Sequence, residues 1–206
     1  MKLQNIESRL NKVAPSFAGE KHIPTLVKQL NKAFARTLVQ FTSGRYIEKY
    51  YKDHSVLVSG QYNPRIMDMI PERVLVILSF PANSKKAIIT PRGAKFLFQR
   101  IVRTIHHEYR HKHQNKGRGY CATKQYKPKA GSKDEVRLRY YGNPDEIDAH
   151  AYETQSDRVD INRLRQAHKV GWIESEAMFM YRKHFRKTDP KVWKRFLKKV
   201  YKNHQS

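Results

Sequence analysis

The sequence has a single cysteine, Cys121, and no long apolar run. One thiol cannot form an intrachain disulfide or assemble a cysteine-based zinc finger, which indicates a reducing compartment. The longest apolar run, Val74 to Leu78, is far shorter than the roughly 20 residues that a bilayer requires. Residues 1–14 also lack the apolar core of a secretory signal. We therefore expect a protein that does not enter the membrane and that works in the cytoplasm.

Acidic residues are scarce as well. The 206 residues include 18 Asp and Glu against 42 Lys and Arg, which gives a formal charge of +24. This charge is far above the ~2–8 that keeps a small domain soluble, so it predicts a polyanionic partner. The basic residues concentrate in residues 112–133 and 181–202. We expect non-specific, salt-dependent nucleic-acid contacts there, with Trp193, Phe196 and Tyr201 of the final helix facing the core.

Apolar spacing and helix-start signals predict an α+β fold. Proline occupies the first position of three predicted helices, beginning at Pro24, Pro91 and Pro190. The first helix is expected to reach Phe41, and a short helix to span residues 46–52. Strands are expected at residues 55–58, 73–80, 86–90 and 136–141, a helix at 143–153, and an all-helical end from 158 to 204. We divide the chain into a domain of residues 1–156, with a helical N-terminal segment, and a basic helical C-terminal extension of residues 157–206.

One motif indicates chemistry. Residues 107–111 read His-Glu-Tyr-Arg-His, the H-E-x-x-H pattern, near the end of the strongest predicted helix. Residues four apart share a helix face, so His107 and His111 can both bind one zinc ion. Glu108 can accept a proton from a water that the metal has made acidic. The alternative is that these histidines belong to a basic, solvated helix end, where cations complement the helix dipole.

A third ligand is expected downstream. The helix that follows Asn143 puts Glu146, His150 and Glu153 on one face. Taken alone, Glu146 is also explained as a carboxylate near the positive end of a helix dipole.

The H-E-x-x-H motif followed by the segment Glu-Ile-Asp-Ala-His-Ala at residues 146–151 resembles the gluzincin class of zinc metallopeptidases. It is most similar to small intracellular members and short phage-encoded relatives. The resemblance implies a zincin-like domain, in which a short mixed sheet packs on the motif helix. It also implies zinc bound by His107, His111 and Glu146, with Glu108 as general base.

The sequence departs from the family pattern at two positions. Arg110 lies between the two histidines, where the family has uncharged residues, and His150 takes the place of an asparagine. His150 is therefore a partner of another ligand, a hydrogen-bond donor to the transition state, or itself the third ligand, although we favour Glu146. Tyr152, Tyr120 and His150 are the candidates for stabilising the oxyanion.

The function expected from these residues is hydrolysis of peptide bonds in a nucleic-acid-rich setting, such as a phage particle or an infected cell. A protein or peptide is then the substrate. The alternative is a non-catalytic nucleic-acid-binding or virion structural protein with a zincin-like fold.

Overall fold

A computed structural model describes residues 3–46, 56–62, 73–84, 86–119, 121, 123–128, 134–157 and 175–205. In chain order, the α-helices and β-strands among these residues are α1 (Leu3–Asn11), β1 (Gly19–Lys21), α2 (Ile23–Ala33), β2 (Val39–Tyr46), β3 (Leu57–Gln61), β4 (Val74–Pro81), β5 (Ala87–Ile89), α3 (Pro91–Gly117), α4 (Glu135–Gly142), α5 (Pro144–Glu153), α6 (Glu176–Phe185) and α7 (Pro190–Gln205). This is an α+β chain, as the sequence predicted. No helix in the described part of the chain is long and apolar enough to cross a membrane.

The chain divides into two compact units, Met1–Lys112 and His113–Ser206. The division falls inside α3, whose last turn belongs to the second unit. The domain boundary that the sequence predicts at residues 156 and 157 lies at a different position and stays a prediction.

The first unit holds two small sheets. In the larger one, β4 is the central strand, parallel to β2 and antiparallel to β3. In the smaller one, β1 pairs with β5 antiparallel. Alternate residues of β4 are buried, as expected for a strand with one face on a core. They join one cluster with apolar residues from α1, α2 and α3, among them Leu10, Leu30, Leu97, Ile101 and Ile105.

The predicted first helix is too long. It ends at Ala33, and Val39–Phe41 form the start of β2 instead. Arg36, with φ of 62°, adopts the left-handed conformation in the intervening turn. Asn31 then holds the new strand: its side-chain amide donates to the carbonyl of Phe41 and accepts from the amide of Phe41. The prediction was too long because apolar residues keep a helical spacing up to Phe41, and this spacing does not show the turn at Arg36. The short helix predicted at residues 46–52 falls mostly outside the described residues.

The second unit contains helices and no strand among its described residues. Its core joins apolar residues of α4, α5, α6 and α7, with Tyr181 and Phe196 stacked 4.1 Å apart between ring centroids. Trp193 and Phe196 face this core, as expected, and Tyr201 packs against it. The apolar face of α7 is therefore covered within its own unit.

The strand predicted at residues 136–141 is wrong, because Glu135–Gly142 form α4. Val136 is 86% exposed, and Leu138 alone among the predicted strand residues is buried. A helical pair also forms, since Arg139 donates to Glu135 four residues earlier at 2.7 Å. The alternation of apolar and basic residues over residues 136–141 therefore does not correspond to alternating buried and exposed positions of a strand.

Candidate metal centre

The motif helix α3 begins as the sequence predicts. Pro91 is its first residue, and the Thr90 hydroxyl accepts a hydrogen bond from the Gly93 amide at 3.0 Å. The apolar face of its first half is buried through Leu97, Ile101 and Ile105. Burial then continues over three consecutive polar residues, His106, His107 and Glu108, which are at most 8% exposed. Buried polar side chains require partners, so this turn of α3 is a candidate for chemistry rather than for core packing.

His107 and His111 form an imidazole pair on one face of α3. Their Nε2 atoms are 3.0 Å apart, and the rings meet edge to face with centroids separated by 4.7 Å. Two nitrogens bound to one tetrahedral zinc ion at 2.0–2.1 Å are about 3.3–3.4 Å apart. The observed separation is thus within a few tenths of an ångström of what shared coordination requires. Without an ion, it also fits one imidazole donating a proton to the other.

Glu108 lies against the edge of the larger sheet. A Cβ atom at Gly60 of β3 would stand 2.5 Å from Cγ of Glu108 and 2.7 Å from its Oε1. No side chain fits in that space, so glycine permits the strand backbone to approach the carboxylate this closely. The sequence analysis missed Gly60. A glycine inside a strand pattern was the available signal, since such a glycine often marks a close backbone approach.

In the second unit, Glu146, His150 and Glu153 form the α5 cluster. The helix begins at Pro144, and the side chain of Asn143 accepts from the amide of Asp145 at 3.0 Å. Nδ1 of His150 is 3.1 Å from Oε1 of Glu153, and Nε2 of His150 is 3.9 Å from Oε2 of Glu146. All three side chains are about 15% exposed. The structure therefore brings Glu146 and His150 together, as their spacing predicted.

The contact with Glu153 orients the His150 ring. Glu153 as a carboxylate accepts the proton on Nδ1, so the Nε2 atom lies on the side of Glu146. Metal-binding histidines commonly donate their second ring nitrogen to a carboxylate in this way. The ring is enclosed by tyrosines, with the Tyr141 centroid at 5.2 Å and the Tyr181 centroid at 5.8 Å. Burial raises the pKa of Tyr181 well above its usual value, so its hydroxyl stays neutral and donates to the carbonyl of Tyr141.

Tyr152 lies elsewhere on α5. It follows His150 by two residues, which places it about 160° around the helix from His150 and about 120° from Glu146. The helix therefore does not bring it to Glu146 and His150. Tyr120 lies outside the described residues. Of the three residues considered for the oxyanion, His150 is the one that belongs to the α5 cluster.

The start of α5 is fastened to the last turn of α3 and the segment after it, all within the second unit. The amide of Gln114 donates to the carbonyl of Asp145 at 2.9 Å and to Oδ2 of Asp148 at 3.1 Å. Arg118 binds the carboxylate of Asp145 through two bonds of 2.8 Å, and the Thr123 hydroxyl donates to the same group at 3.0 Å. A bidentate arginine pair of this kind fixes both distance and orientation.

Comparison with known proteins does not assign this site: no protein-family model, no curated protein and no solved structure matches the chain.

Proposed function

We propose that the chain is a zinc-dependent peptidase in which one ion joins the imidazole pair of α3 to the α5 cluster. The observation that supports the proposal is that the imidazole pair lies on the same face of α3 as Gln114. Gln114 follows His107 by seven residues and His111 by three, so all three side chains share one side of the helix. Gln114 is the residue that binds Asp145 and Asp148 of α5.

The donor set suits zinc. Imidazole nitrogens and a carboxylate oxygen are the usual ligands of catalytic zinc, which takes three of them and leaves one position for water. The proposal takes His107 and His111 from α3 and a further ligand from the α5 cluster. His111 pairs with His107 by its Nε2 atom. The α5 cluster thus offers two candidates for the third ligand, Glu146 and His150, and Glu153 holds the ring of the second.

When bound, zinc supplies an acidified water and polarises the scissile carbonyl. Glu108 is the residue that accepts the proton of the water and passes it to the leaving amine. Its carboxylate lies against β3, a strand that pairs with β4 and forms the edge of its sheet. A peptide added to that edge as a further strand would run past Glu108. This arrangement supports hydrolysis of extended, unfolded segments.

Replacement of Glu108 tests the proposal. Glu108→Gln keeps the size of the side chain and removes its basicity, so we expect normal zinc content and a loss of about 10²–10⁴-fold in cleavage of an unfolded, fluorescently labelled protein. Glu20→Gln is the matched control, because Glu20 is exposed and its salt bridge with Lys86 is at the surface. Unchanged cleavage by Glu108→Gln would overturn the assignment of the base.

A second candidate function is a zinc-binding, non-catalytic protein that contacts nucleic acid. The basic surface of α7 favours it. The same experiment separates the two functions, because such a protein would bind zinc and cleave nothing in either variant.

A further inference from the structure

The final helix carries a narrow stripe of positive charge. Its buried residues, Val192, Trp193, Phe196, Leu197 and Val200, lie on one side. On the opposite side are five exposed cations. Four of them follow the first, Lys191, by three, four, seven and eleven residues, so all five lie within an arc of about 100°. We define this α7 stripe as Lys191, Lys194, Arg195, Lys198 and Lys202.

No acidic residue neutralises the stripe within the described part of the chain. Helix α7 contains neither Asp nor Glu. Its one salt bridge among the described residues joins Lys199, which is outside the stripe, to Asp148 at 2.9 Å. Asp189, just before the helix, accepts from the amides of Lys191 and Val192 and from the Tyr126 hydroxyl. Its carboxylate is thus engaged in holding the start of the helix.

Such a stripe costs helix stability in the free protein, because like charges three and four residues apart repel one another. The helix forms because its opposite face is buried in the core of the second unit. A bound polyanion would remove the repulsion. Over eleven residues the stripe is about 16 Å long, and over that length of axis a duplex carries about nine phosphates on its two strands, more than the five cations require.

From these observations, we propose that the α7 stripe is a docking surface for the phosphate backbone of duplex nucleic acid, bound without regard to sequence. The proposal is independent of the metal site. A lipid surface fits less well, because a membrane-bound helix inserts an apolar face and that of α7 is buried. A protein partner also fits less well, because lysine is depleted from protein interfaces.

A single strand is the weaker nucleic-acid partner. Proteins that bind single strands stack bases on exposed aromatic side chains. Of the aromatic residues of α7, Trp193 and Phe196 are at most 6% exposed and belong to the core, and Tyr201 is partly buried against it. The stripe therefore offers charge without stacking, which suits the higher charge density of a duplex.

Salt dependence of binding tests the proposal. The Kd for a labelled 20-base-pair duplex is measured by fluorescence anisotropy at several salt concentrations. We expect a plot of log Kd against log salt concentration to have a slope of about 4.5, from about 0.9 for each of five phosphate contacts. This slope weakens binding about 500-fold between 50 and 200 mM KCl. Lys194→Gln with Lys198→Gln should reduce the slope by about 1.8. Lys191→Gln with Lys202→Gln should do the same, provided that both variants melt like the wild type.

Lys28→Gln with Lys32→Gln is the matched control, because it removes two exposed cations at the same spacing from α2. We expect its slope to equal that of the wild type. Equal reductions in the α7 and α2 variants would overturn the proposal, since they would show an effect of net charge alone. Absence of duplex binding at 50 mM KCl would also overturn it. So would a stripe-dependent affinity for phosphatidylserine vesicles, or for a single strand, that exceeds the affinity for the duplex.

Discussion

The Nε2 atoms of His107 and His111 lie 3.0 Å apart, next to the turn of α3 in which three consecutive polar residues, 106–108, are buried. Two imidazoles at this separation either share one proton or direct two lone pairs at one cation. The first arrangement leaves the buried Glu108 without a chemical role. The second arrangement gives a chemical role to His107, His111 and Glu108 alike, and it requires a metal ion.

Gly60→Ala is expected to impair catalysis with little effect on metal binding. The added methyl would stand 2.5 Å from Cγ of Glu108 and 2.6 Å from Cγ2 of Thr104, so the carboxylate must move. A shift of about 1 Å in a catalytic group costs on the order of 100-fold in rate. The measurement is kcat for cleavage of the unfolded substrate alongside zinc content. Gly117→Ala serves as control, because nothing lies within 4 Å of its added methyl. Normal kcat in Gly60→Ala would show that β3 does not position Glu108.

Gly142→Ala is expected to destabilise the second unit. Its Cβ would lie 2.1 Å from Cδ1 of the Tyr126 ring, and this ring is held by a 2.8 Å bond from its hydroxyl to Asp189. Overpacking of this kind costs about 1–3 kcal/mol in the free energy of unfolding, measured by urea denaturation. In a Tyr126→Ala background the penalty of Gly142→Ala should disappear. A penalty of the same size in both backgrounds would mean that the ring is not its cause.

The pairing of His204 with Thr154 predicts a loss of stability in acid. The Thr154 hydroxyl donates to the carbonyl of Ala151, so it accepts from Nε2 of His204 at 3.1 Å. Burial lowers the pKa of His204 below 6.5 in the folded chain. The stability due to neutral His204 is therefore present above pH 6.5 and is lost as pH falls through the lower, folded pKa.

His204→Gln isolates this effect, because glutamine keeps an N–H donor for Thr154 and does not titrate. Urea unfolding between pH 7.5 and 5 should show a larger loss of unfolding free energy in the wild type than in His204→Gln. Parallel pH profiles would contradict the account of His204 and leave the metal site unaffected.

Local patterns predicted those elements whose signals lie next to one another in the sequence. Thr90 and Pro91 start α3, Asn143 and Pro144 start α5, and both helices begin at those residues. Periodicity failed where a tertiary contact decided the outcome. Val39 enters β2 because it pairs with Val74 of β4, 35 residues away, and no local pattern reports that pairing.

The same distinction holds for the candidate site. The spacings of four residues from His107 to His111 and from Glu146 to His150 were sufficient to predict both close pairs. The approach of Gly60 to Glu108 depends on where β3 lies beside α3, a non-local relationship. The sequence likewise could not choose between Glu146 and His150 as third ligand, because the two share one helix face.

The most direct test of the account is the zinc content of the purified 206-residue chain, loaded with zinc, freed of excess metal and measured by elemental analysis. We expect about one zinc per chain in the wild type and in the control His113→Ala, whose side chain is exposed on the same helix. His111→Ala should lose the metal, and so should at least one of Glu146→Ala and His150→Ala. A zinc-free wild type, or full zinc content in both of the α5 variants, would contradict the claim that one ion joins α3 to α5.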